Sequence, residues 1–356
     1  MRVAFIARTT LQTIPGGDTV QVQATAKYLR KAGVEVDIKR TTDLIDYDRY
    51  DLLHFFNVIR PADILKHIGS GKPYVVSTIF VDYSGYDRSV RRGLPGILFR
   101  ILPPGQIEYA KVIARFLSGK DAISSTQYLW LGHNRSIKKV LEHASCLLPN
   151  SETESHRIEQ TYGLNKKYKI VPNGIDDEIF PVTENFEKDP RIVVCAARIE
   201  GIKNQLNLIR ALNNSCFRLY LIGNPAPNQE GYYRECKRIA ADNIEFIHNL
   251  PQTALLEFYQ HAKVHVLPSW FETTGLSSLE AAAMGCNLVI SDKGDVREYF
   301  GESAFYCDPG CPSSIRQAVE KAASASVDPS LQQKIRTKFT WEKAAFQTIQ
   351  AYQAII

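Results

Sequence analysis

The sequence predicts an α/β protein made of two Rossmann-like, doubly wound domains in tandem, which face each other across a cleft. Short apolar runs with strand character, such as RVAFIA and RIVVCAA, alternate with segments of helical period. The chain has 356 residues, more than one hydrophobic core normally organises. The alternation is interrupted once by a polar stretch and then restarts. Strands that alternate with helices favour parallel sheets, which bind ligands beyond the carboxyl ends of their strands.

The first domain is expected to span residues 1–176. An amphipathic helix ends at Gly33 and a second helix starts at Pro61, which are the positions that glycine and proline favour at helix ends. The predicted strands are RVAFIA, VEVDIK, DLLHFF, YVVSTIF, SCLLPNS and YKIVPNG.

Residues 83–144 break this rhythm, because they are longer than an ordinary crossover. Between 87 and 120 there are seven basic and two acidic residues, an excess equal to the net charge of +5 of the whole chain. One interpretation is a helical subdomain with a solvated cationic face. The other is a docking surface for an anionic membrane and a phosphate-bearing substrate. The second interpretation assigns these contacts to Arg88, Arg91, Arg92 and Arg100.

Residues 177–190 are polar, contain two prolines and are expected to link the domains. The second domain is expected to span 191–338, with about five or six strands, and a helical pattern resumes in 339–356. Five of those strands are RIVVCAA, FRLYLIG, NIEFIH, VHVLP and NLVIS.

Composition narrows the class of protein. Hydrophobic residues make up 44% and charged residues 23%, as in ordinary globular proteins. The seven cysteines are scattered without metal-ligand spacing, which favours a reducing compartment. No apolar run is long enough for a membrane span, the N-terminus does not resemble a signal sequence, and no nucleic-acid-binding motif accompanies the basic residues. A cytoplasmic protein is expected.

The stretch FETTGLSSLE places Glu272 and Glu280 on either side of a glycine turn, between a strand and a helix. Gly275 permits close approach of the backbone to a ligand, and the helix N-terminus attracts anions. Carboxylates on both sides suit sugar hydroxyls that flank a phosphate. The simpler interpretation is that Ser277 and Glu280 form a capping box that stabilises the helix without any ligand.

Two cations follow another strand of the second domain, in AARIEGIKNQ. Arg198 stands at the end of the strand and Lys203 at the start of the next helix. Together they are suited to a pyrophosphate, since arginine offers a bidentate fork and lysine a point charge. Solvated cations at a strand end are the alternative.

In the first domain, Gly16 and Gly17 follow the first strand in TIPGGDTVQ and suit a phosphate or a sugar, although such a pair is also common in plain turns. The pattern lacks the full G-x-G-x-x-G of dinucleotide-binding proteins, which argues against a dinucleotide cofactor.

In their order and spacing these elements resemble the retaining, nucleotide-sugar-dependent glycosyltransferases of the GT-B fold, in particular glycosyltransferase family 4. The resemblance covers nearly the whole chain. It rests on the Gly16-Gly17 loop, the sequence Pro172-Asn173-Gly174-Ile175-Asp176, the pair Arg198 and Lys203, and the E-x7-E motif of Glu272 and Glu280 after Val266 to Ser269.

The resemblance implies roles for these residues. Arg198 and Lys203 would neutralise the departing diphosphate without a metal, and Glu280 would bind the ribose of a UDP- or GDP-sugar. Glu272 would hold donor-sugar hydroxyls. The first domain would bind the acceptor, and the last helix would cross back onto it. Further donor contacts are implied for Gly16, Gly17, Asn173, Thr273, Thr274, Gly275 and Leu276, and the base would lie near residues 248–252.

One departure concerns the His-Asp pair that family members often carry after the VVST strand. Here Phe80 takes roughly the place of the histidine, and Asp82 is shifted. Asp82 either approaches the reacting sugars, in which case it is catalytic, or caps the following loop. His133 is another polar candidate, although a lone histidine is more often structural.

The sequence therefore favours a cytoplasmic, metal-independent, retaining hexosyltransferase. Its acceptor would be a glycan or a lipid-pyrophosphate-linked glycan, as in bacterial surface polysaccharide synthesis, with a peripheral membrane location. The alternatives are a non-catalytic nucleotide- or glycan-binding relative and a sugar-nucleotide epimerase on the same fold.

Overall fold

The computed structural model describes residues 1–90, 102–117, 119, 123–181, 187–248 and 250–356, and for residues 88–90 the backbone alone. The chain divides into two compact units. Unit 1 comprises Met1–Asn173 and Trp341–Ile356, and unit 2 comprises Gly174–Thr340. Each unit is built around one parallel sheet, which confirms the predicted α/β class.

Unit 1 contains a five-stranded sheet in the order β2-β1-β3-β4-β5. Its central strands are almost completely buried because helices cover parallel sheets on both faces. The direction of chain winding reverses between β1 and β3, so the loop after β1 lies at a switch point, where such sheets bind ligands. The strands are β1 Arg2–Ala7, β2 Glu35–Arg40, β3 Leu52–Phe56, β4 Tyr74–Ser77 and β5 Cys146–Leu148.

The C-terminal helix Trp341–Gln353 belongs to unit 1 and packs on the helix Gly17–Lys31. Its Tyr352 hydroxyl shares a 2.6 Å hydrogen bond with Nδ1 of His54 in β3, and Nε2 of His54 lies 2.8 Å from the Ser77 hydroxyl. A buried polar network of this kind stabilises one specific docking of the helix, since each group needs its partner. The other described helices of unit 1 are Pro61–Leu65, Ser84–Val90, Pro104–Leu117, Gln127–His143 and Glu152–Tyr162.

Two predictions for this half of the chain need correction. The run YKIVPNG is not a strand, because apart from an isolated bridge between Tyr168 and Leu147 it forms no ladder. The strand predicted from YVVSTIF ends at Ser77, since Ile79 takes a positive φ of 45° that a continuing strand does not allow.

Unit 2 contains a six-stranded parallel sheet in the order β11-β10-β9-β6-β7-β8. The winding starts at β6, runs out to β8 and returns to place β9 beside β6. The switch point therefore lies between the loops that follow β6 and β9. The strands are β6 Asp189–Ala196, β7 Arg218–Ile222, β8 Ile244–Ile247, β9 Ala262–Leu267, β10 Asn287–Ser291 and β11 Ala304–Cys307.

Strand β11 was not among the predicted strands, because its four residues carry no alternation of their own and only their pairing with β10 defines the strand. In the part of the chain that the structure describes, no helix combines the length and the apolar character needed to cross a membrane. The helices of unit 2 are Gln205–Leu212, Glu230–Ile239, Gln252–His261, Leu276–Ala283, Val296–Phe300, Pro312–Ser324 and Pro329–Lys338.

Candidate active site

The carboxyl-end loops of β6 and β9 bring a lysine and a glutamate together at the switch point of unit 2. Nζ of Lys203 donates a 2.5 Å hydrogen bond to Oε1 of Glu272, and the Ser269 hydroxyl donates to the same oxygen at 2.6 Å. Both side chains of the ion pair are mostly buried. Residues 69 positions apart thus form one charged centre at the edge where α/β sheets bind ligands.

Arg198 lies on the same loop as Lys203 and is the more exposed of the two cations. Its Nη2 donates to Oε1 of Glu200 at 3.1 Å. The side chain of Gln205 supports the loop from inside, because it donates to the Arg198 carbonyl at 2.8 Å and accepts from the Glu200 amide at 3.3 Å. A guanidinium has five N–H donors, so the contact with one carboxylate oxygen leaves capacity for an anion.

A glycine on a third loop supports the backbone of Glu272. The amide of Glu272 donates to the Lys293 carbonyl at 3.2 Å, and its carbonyl accepts from the Asp295 amide at 2.8 Å. Gly294 lies between those two contacts with a φ of +90°. A Cβ added to Gly294 would stand 2.1 Å from the Glu272 carbonyl oxygen, so the close approach requires glycine.

Replacing Gly294 by alanine should therefore destabilise unit 2 by about 2 to 5 kcal/mol, from the positive φ and the steric overlap together. It should also displace Glu272. The measurement is chemical denaturation of the full chain. Gly285→Ala is the matched control, because its φ is +73° but its added Cβ would approach no atom closer than 3.4 Å. Equal losses in the two variants would show that the contact with Glu272 is unimportant.

Glu280 is not in the first helical turn, and the predicted capping box does not form. The helix starts at Leu276 with Gly275 as its N-cap in a left-handed conformation, which places Glu280 in the second turn. There it is buried and accepts a 2.6 Å hydrogen bond from Nε2 of Gln252. Burial raises the pKa of Glu280 to about 7, against the opposing effect of the hydrogen bond from Gln252. A buried carboxyl group with capacity for further donors suits a ligand with hydroxyl groups.

The turn between the two glutamates packs inward. The Thr274 hydroxyl donates to the hydroxyl of Tyr299 at 3.2 Å, and Leu276 contacts the apolar core. Thr273 and Gly275 complete the turn, with Gly275 at a φ of +73°. Behind the turn, Ser278 lies 3.1 Å from Nε2 of the buried His265 of β9. These contacts fix the helix N-terminus relative to Glu272.

In unit 1 the Gly16-Gly17 loop closes around an arginine that the sequence analysis did not single out. The Arg8 side chain donates to Asp18 at 2.6 and 3.0 Å and to the Ile14 carbonyl at 2.7 Å. Gly16 forms the N-cap of the helix that starts at Gly17. The loop at the switch point of unit 1 is thus pre-shaped by one mostly buried guanidinium.

Asp82 caps a helix in this structure. Its Oδ1 accepts a 2.8 Å hydrogen bond from the amide of Ser84, the first residue of the helix Ser84–Val90. The loop before it is held by the fully buried Glu154, which accepts hydrogen bonds from the Thr78 hydroxyl and from the Phe80 amide, the latter at 2.7 Å. The contact with Ser84 is the capping alternative of the sequence analysis.

His133 is buried on the helix Gln127–His143, where its Nδ1 lies 3.1 Å from the Tyr128 hydroxyl. Burial lowers the pKa of His133 to about 4, as expected for a neutral structural histidine. Asn173 is buried at the end of unit 1. Arg91, Arg92, Arg100 and Asn249 lie outside the described residues, and Arg88 is described by its backbone alone.

The sequence analysis therefore missed several supporting residues. No local pattern marks Ser269, Glu200 or Gly294 as supporting residues. Ser269 and Glu200 contact charged neighbours two or three positions away, and Gly294 contacts Glu272 from another loop. Gln252 lies in the segment 248–252, which the sequence analysis assigned to the nucleobase of the donor. Its contact with Glu280 was not predicted, because the two residues are 28 positions apart. Among the residues that the structure describes, no group of three His, Cys, Asp or Glu side chains is arranged to hold a metal ion.

Comparisons with known proteins agree with this geometry. Residues 176–339 match the family model described as Glycosyl transferases group 1. A D-inositol 3-phosphate glycosyltransferase from Kribbella flavida is 25% identical over 247 residues, 61% of this chain and 58% of the relative. A glycogen synthase from Mycobacterium tuberculosis is 34% identical over 229 residues, 60% of this chain and 55% of the relative. The chain thus spans about half the length of the curated relatives it matches.

Solved structures match over nearly the full length. A sucrose-phosphate synthase from Thermosynechococcus elongatus has a TM-score of 0.71 and 16% identity, covering 99% of this chain and 98% of its own. HepE from Anabaena in complex with UDP-glucose has a TM-score of 0.72 and 14% identity, covering 99% and 100%. The likeness confirms the GT-B fold. Residues 176–339, which match the model described as Glycosyl transferases group 1, carry Arg198, Lys203, Glu272 and Glu280.

Proposed function

We propose that this protein is a retaining, metal-independent glycosyltransferase that moves a hexose from a nucleoside diphosphate to a glycan or lipid-linked glycan. The observation that carries the proposal is the Lys203–Glu272 pair at the switch point of unit 2, with Arg198 beside Lys203 and the buried Glu280 on the helix after Glu272. Two cations and two carboxylates are the groups that a ligand with phosphates between two sets of hydroxyls requires.

In this proposal the diphosphate lies against Arg198 and Lys203, which stabilise the negative charge that develops as it leaves. Their charge performs the task that a divalent cation performs in other transferases. Glu280 accepts hydrogen bonds from the ribose hydroxyls, and Glu272 from hydroxyls of the hexose. UDP is the first nucleotide to test, since HepE was solved with UDP-glucose.

Retention follows if the acceptor oxygen attacks the anomeric carbon on the face that the diphosphate leaves. The bond from that carbon to the phosphate oxygen breaks, and the acceptor proton passes to the departing phosphate. No strong base is then needed, which fits an Asp82 engaged in capping. The anomeric configuration of the product, read by proton NMR, tests retention, and activity in excess EDTA tests metal independence.

The acceptor is proposed to bind unit 1, and a phosphate-bearing acceptor at a membrane surface suits the basic segment between 83 and 144. Two relatives are named D-inositol 3-phosphate glycosyltransferase and glycogen synthase. Their names widen the set of acceptors to be tested. An acceptor panel should therefore contain lipid-pyrophosphate-linked sugars, an inositol phosphate and a glucan.

Binding of UDP or GDP should raise the melting temperature of the full chain by several degrees. A ligand that binds only the folded state at 100 times its dissociation constant stabilises it by about 2.7 kcal/mol. The measurement is a thermal-shift panel of UDP, GDP, ADP, CMP and their sugar conjugates. Glu280→Gln should weaken the shift, whereas Lys321→Ala, an exposed lysine elsewhere in unit 2, should preserve it.

If no nucleotide stabilises the wild type, the donor site is wrongly assigned. Binding without transfer to any acceptor would instead favour the non-catalytic relative, for which the capping role of Asp82 is the supporting observation. Conversion of the sugar nucleotide in the absence of an acceptor would identify an epimerase.

A further inference from the structure

We propose that Asn204 is a positioning residue of the donor site, whose side-chain amide joins three loops of unit 2 and holds Lys203 against Glu272. The inference rests on the proposed function, because nucleotide binding is its readout. Asn204 directly follows Lys203 and is 4% exposed.

The amide nitrogen of Asn204 bridges two other loops. Nδ2 donates to the Pro268 carbonyl at 3.1 Å and to the Pro309 carbonyl at 2.7 Å. A primary amide nitrogen has two hydrogens, so each serves one carbonyl. Asn204 itself follows β6, Pro268 follows β9 and Pro309 follows β11. One buried side chain thus ties together the carboxyl-end loops of three strands.

Few residue types meet the demands of this position. Asn204 has a φ of 63° and a ψ of 30°, the left-handed region that glycine and asparagine tolerate. Glycine would provide the backbone but not the two donors. Aspartate would match the shape, but a carboxylate facing two carbonyl oxygens would repel them.

The bridge acts on the charged centre through short connections. Pro268 immediately precedes Ser269, whose hydroxyl donates to Glu272. A second contact joins the loop after β6 to the loop after β9, since the Trp270 amide donates to the Ile202 carbonyl at 2.8 Å. Without the Asn204 bridge, the loops that carry Lys203 and Glu272 would keep that backbone contact and the ion pair itself, but they would lose the buried side chain that joins them.

The test compares Asn204→Asp with Asn287→Asp in the full chain. Asn287 is a matched control, because its Nδ2 is also buried and also bridges two carbonyls, those of Ala322 and Ala325. It stands at the first residue of β10, on the edge of the sheet opposite the carboxyl ends. Asn204→Gly keeps the left-handed backbone and removes the whole side-chain amide.

Both aspartate variants should lower the melting temperature by similar amounts. Only the Asn204 variants should weaken UDP binding, measured by calorimetry, by about tenfold or more, and lower kcat/KM by about 100-fold, as small misplacements of reacting groups do. The KM for the acceptor should stay unchanged. A purely structural role would predict no such difference between the two positions.

Equal dissociation constants for UDP in Asn204→Asp and Asn287→Asp would overturn the inference while leaving the proposed function intact. If Asn204→Asp fails to fold, Asn204→Gly decides alone, and wild-type affinity in that variant would overturn the inference. A wild type that binds neither UDP nor GDP would overturn the proposed function and this inference with it.

Discussion

Replacing Lys203 by alanine is expected to lower kcat/KM by about 100-fold or more. Removing one preorganised donor from a site of developing negative charge costs 10²–10³ in rate in other enzymes. Lys203 is half of a mostly buried ion pair, so its charge acts where water screens it poorly. The measurement is the initial rate of transfer at varied concentrations of the nucleotide sugar that the thermal-shift panel identifies.

The substitution also leaves Glu272 with the hydroxyl of Ser269 as its remaining side-chain donor. Breaking a buried pair from one side is destabilising in itself. The double variant Lys203→Ala/Glu272→Ala separates the two effects, since it should recover stability but no activity. Lys321→Ala serves as the control for removal of a lysine from the surface. A loss of less than about threefold in Lys203→Ala would show that Lys203 does not stabilise the leaving group.

Acidification from pH 7.5 to pH 5 is expected to destabilise unit 1 much more than unit 2. Three histidines of unit 1 are buried and hydrogen-bonded, and burial lowers the pKa of His54 to about 3 and of His67 and His133 to about 4. In the unfolded chain the pKa is near 6.5. Below pH 6.5 the unfolded state therefore binds protons that the folded state does not, and stability falls with pH down to about 4.

The size of the loss follows from the linkage relation. At pH 5 each of the three histidines contributes a loss of up to about 2 kcal/mol relative to pH 8. Together they could remove a large part of the marginal stability of an α/β unit of this size.

Unit 2 contains two groups with opposite effects. Burial lowers the pKa of His265 to about 3, which costs stability below pH 6.5. Burial raises the pKa of Glu280 to about 7 from an ordinary value of 4.5. As pH falls, the folded state therefore binds a proton near pH 7, whereas the unfolded state binds it only near pH 4.5. The stability from Glu280 is present at low pH and lost as pH rises through 7. At pH 5 the contributions of His265 and Glu280 to the free energy of unfolding of unit 2 nearly cancel.

Hydrogen exchange at pH 7.5, 6 and 5, corrected for intrinsic rates, resolves the two units. Protection should fall in β1 and β3 and persist in β6 and β9. His133→Gln should reduce the pH slope of unit 1 by one proton. Parallel loss of protection in both units would contradict the assignment of the three neutral histidines.

The fold was largely predictable because its strands are short, apolar and separated by amphipathic helices. Strands β1, β3 and β10 are buried over nearly their whole length, so their residues are mostly apolar. The sequence therefore shows them as short apolar runs. The same rule failed for YKIVPNG, which has strand composition but no partner along a full ladder. It also missed β11, whose strand character comes from its neighbour β10.

The candidate site divides in the same way. Local spacing along the chain singled out Arg198 and Lys203, and separately Glu272 and Glu280, as candidates. The spacing did not show that Lys203 pairs with Glu272. It also did not show that Glu280 is buried and bonded to Gln252. A local pattern even favoured the wrong helix start, because Ser277 and Glu280 satisfy the spacing of a capping box that Gly275 replaces.

The sequence by itself determined the class of fold, the tandem order of its two α/β segments and the residue types that could bind a diphosphate, since these depend on periodicity and spacing within short windows. Only the tertiary structure decided which carboxylate meets Lys203, which loops the amide of Asn204 joins, and which histidines are buried. These properties depend on burial and on hydrogen bonds between residues 64 to 105 positions apart. Such contacts arise from strand order, because parallel winding brings the ends of distant strands to one edge of the sheet.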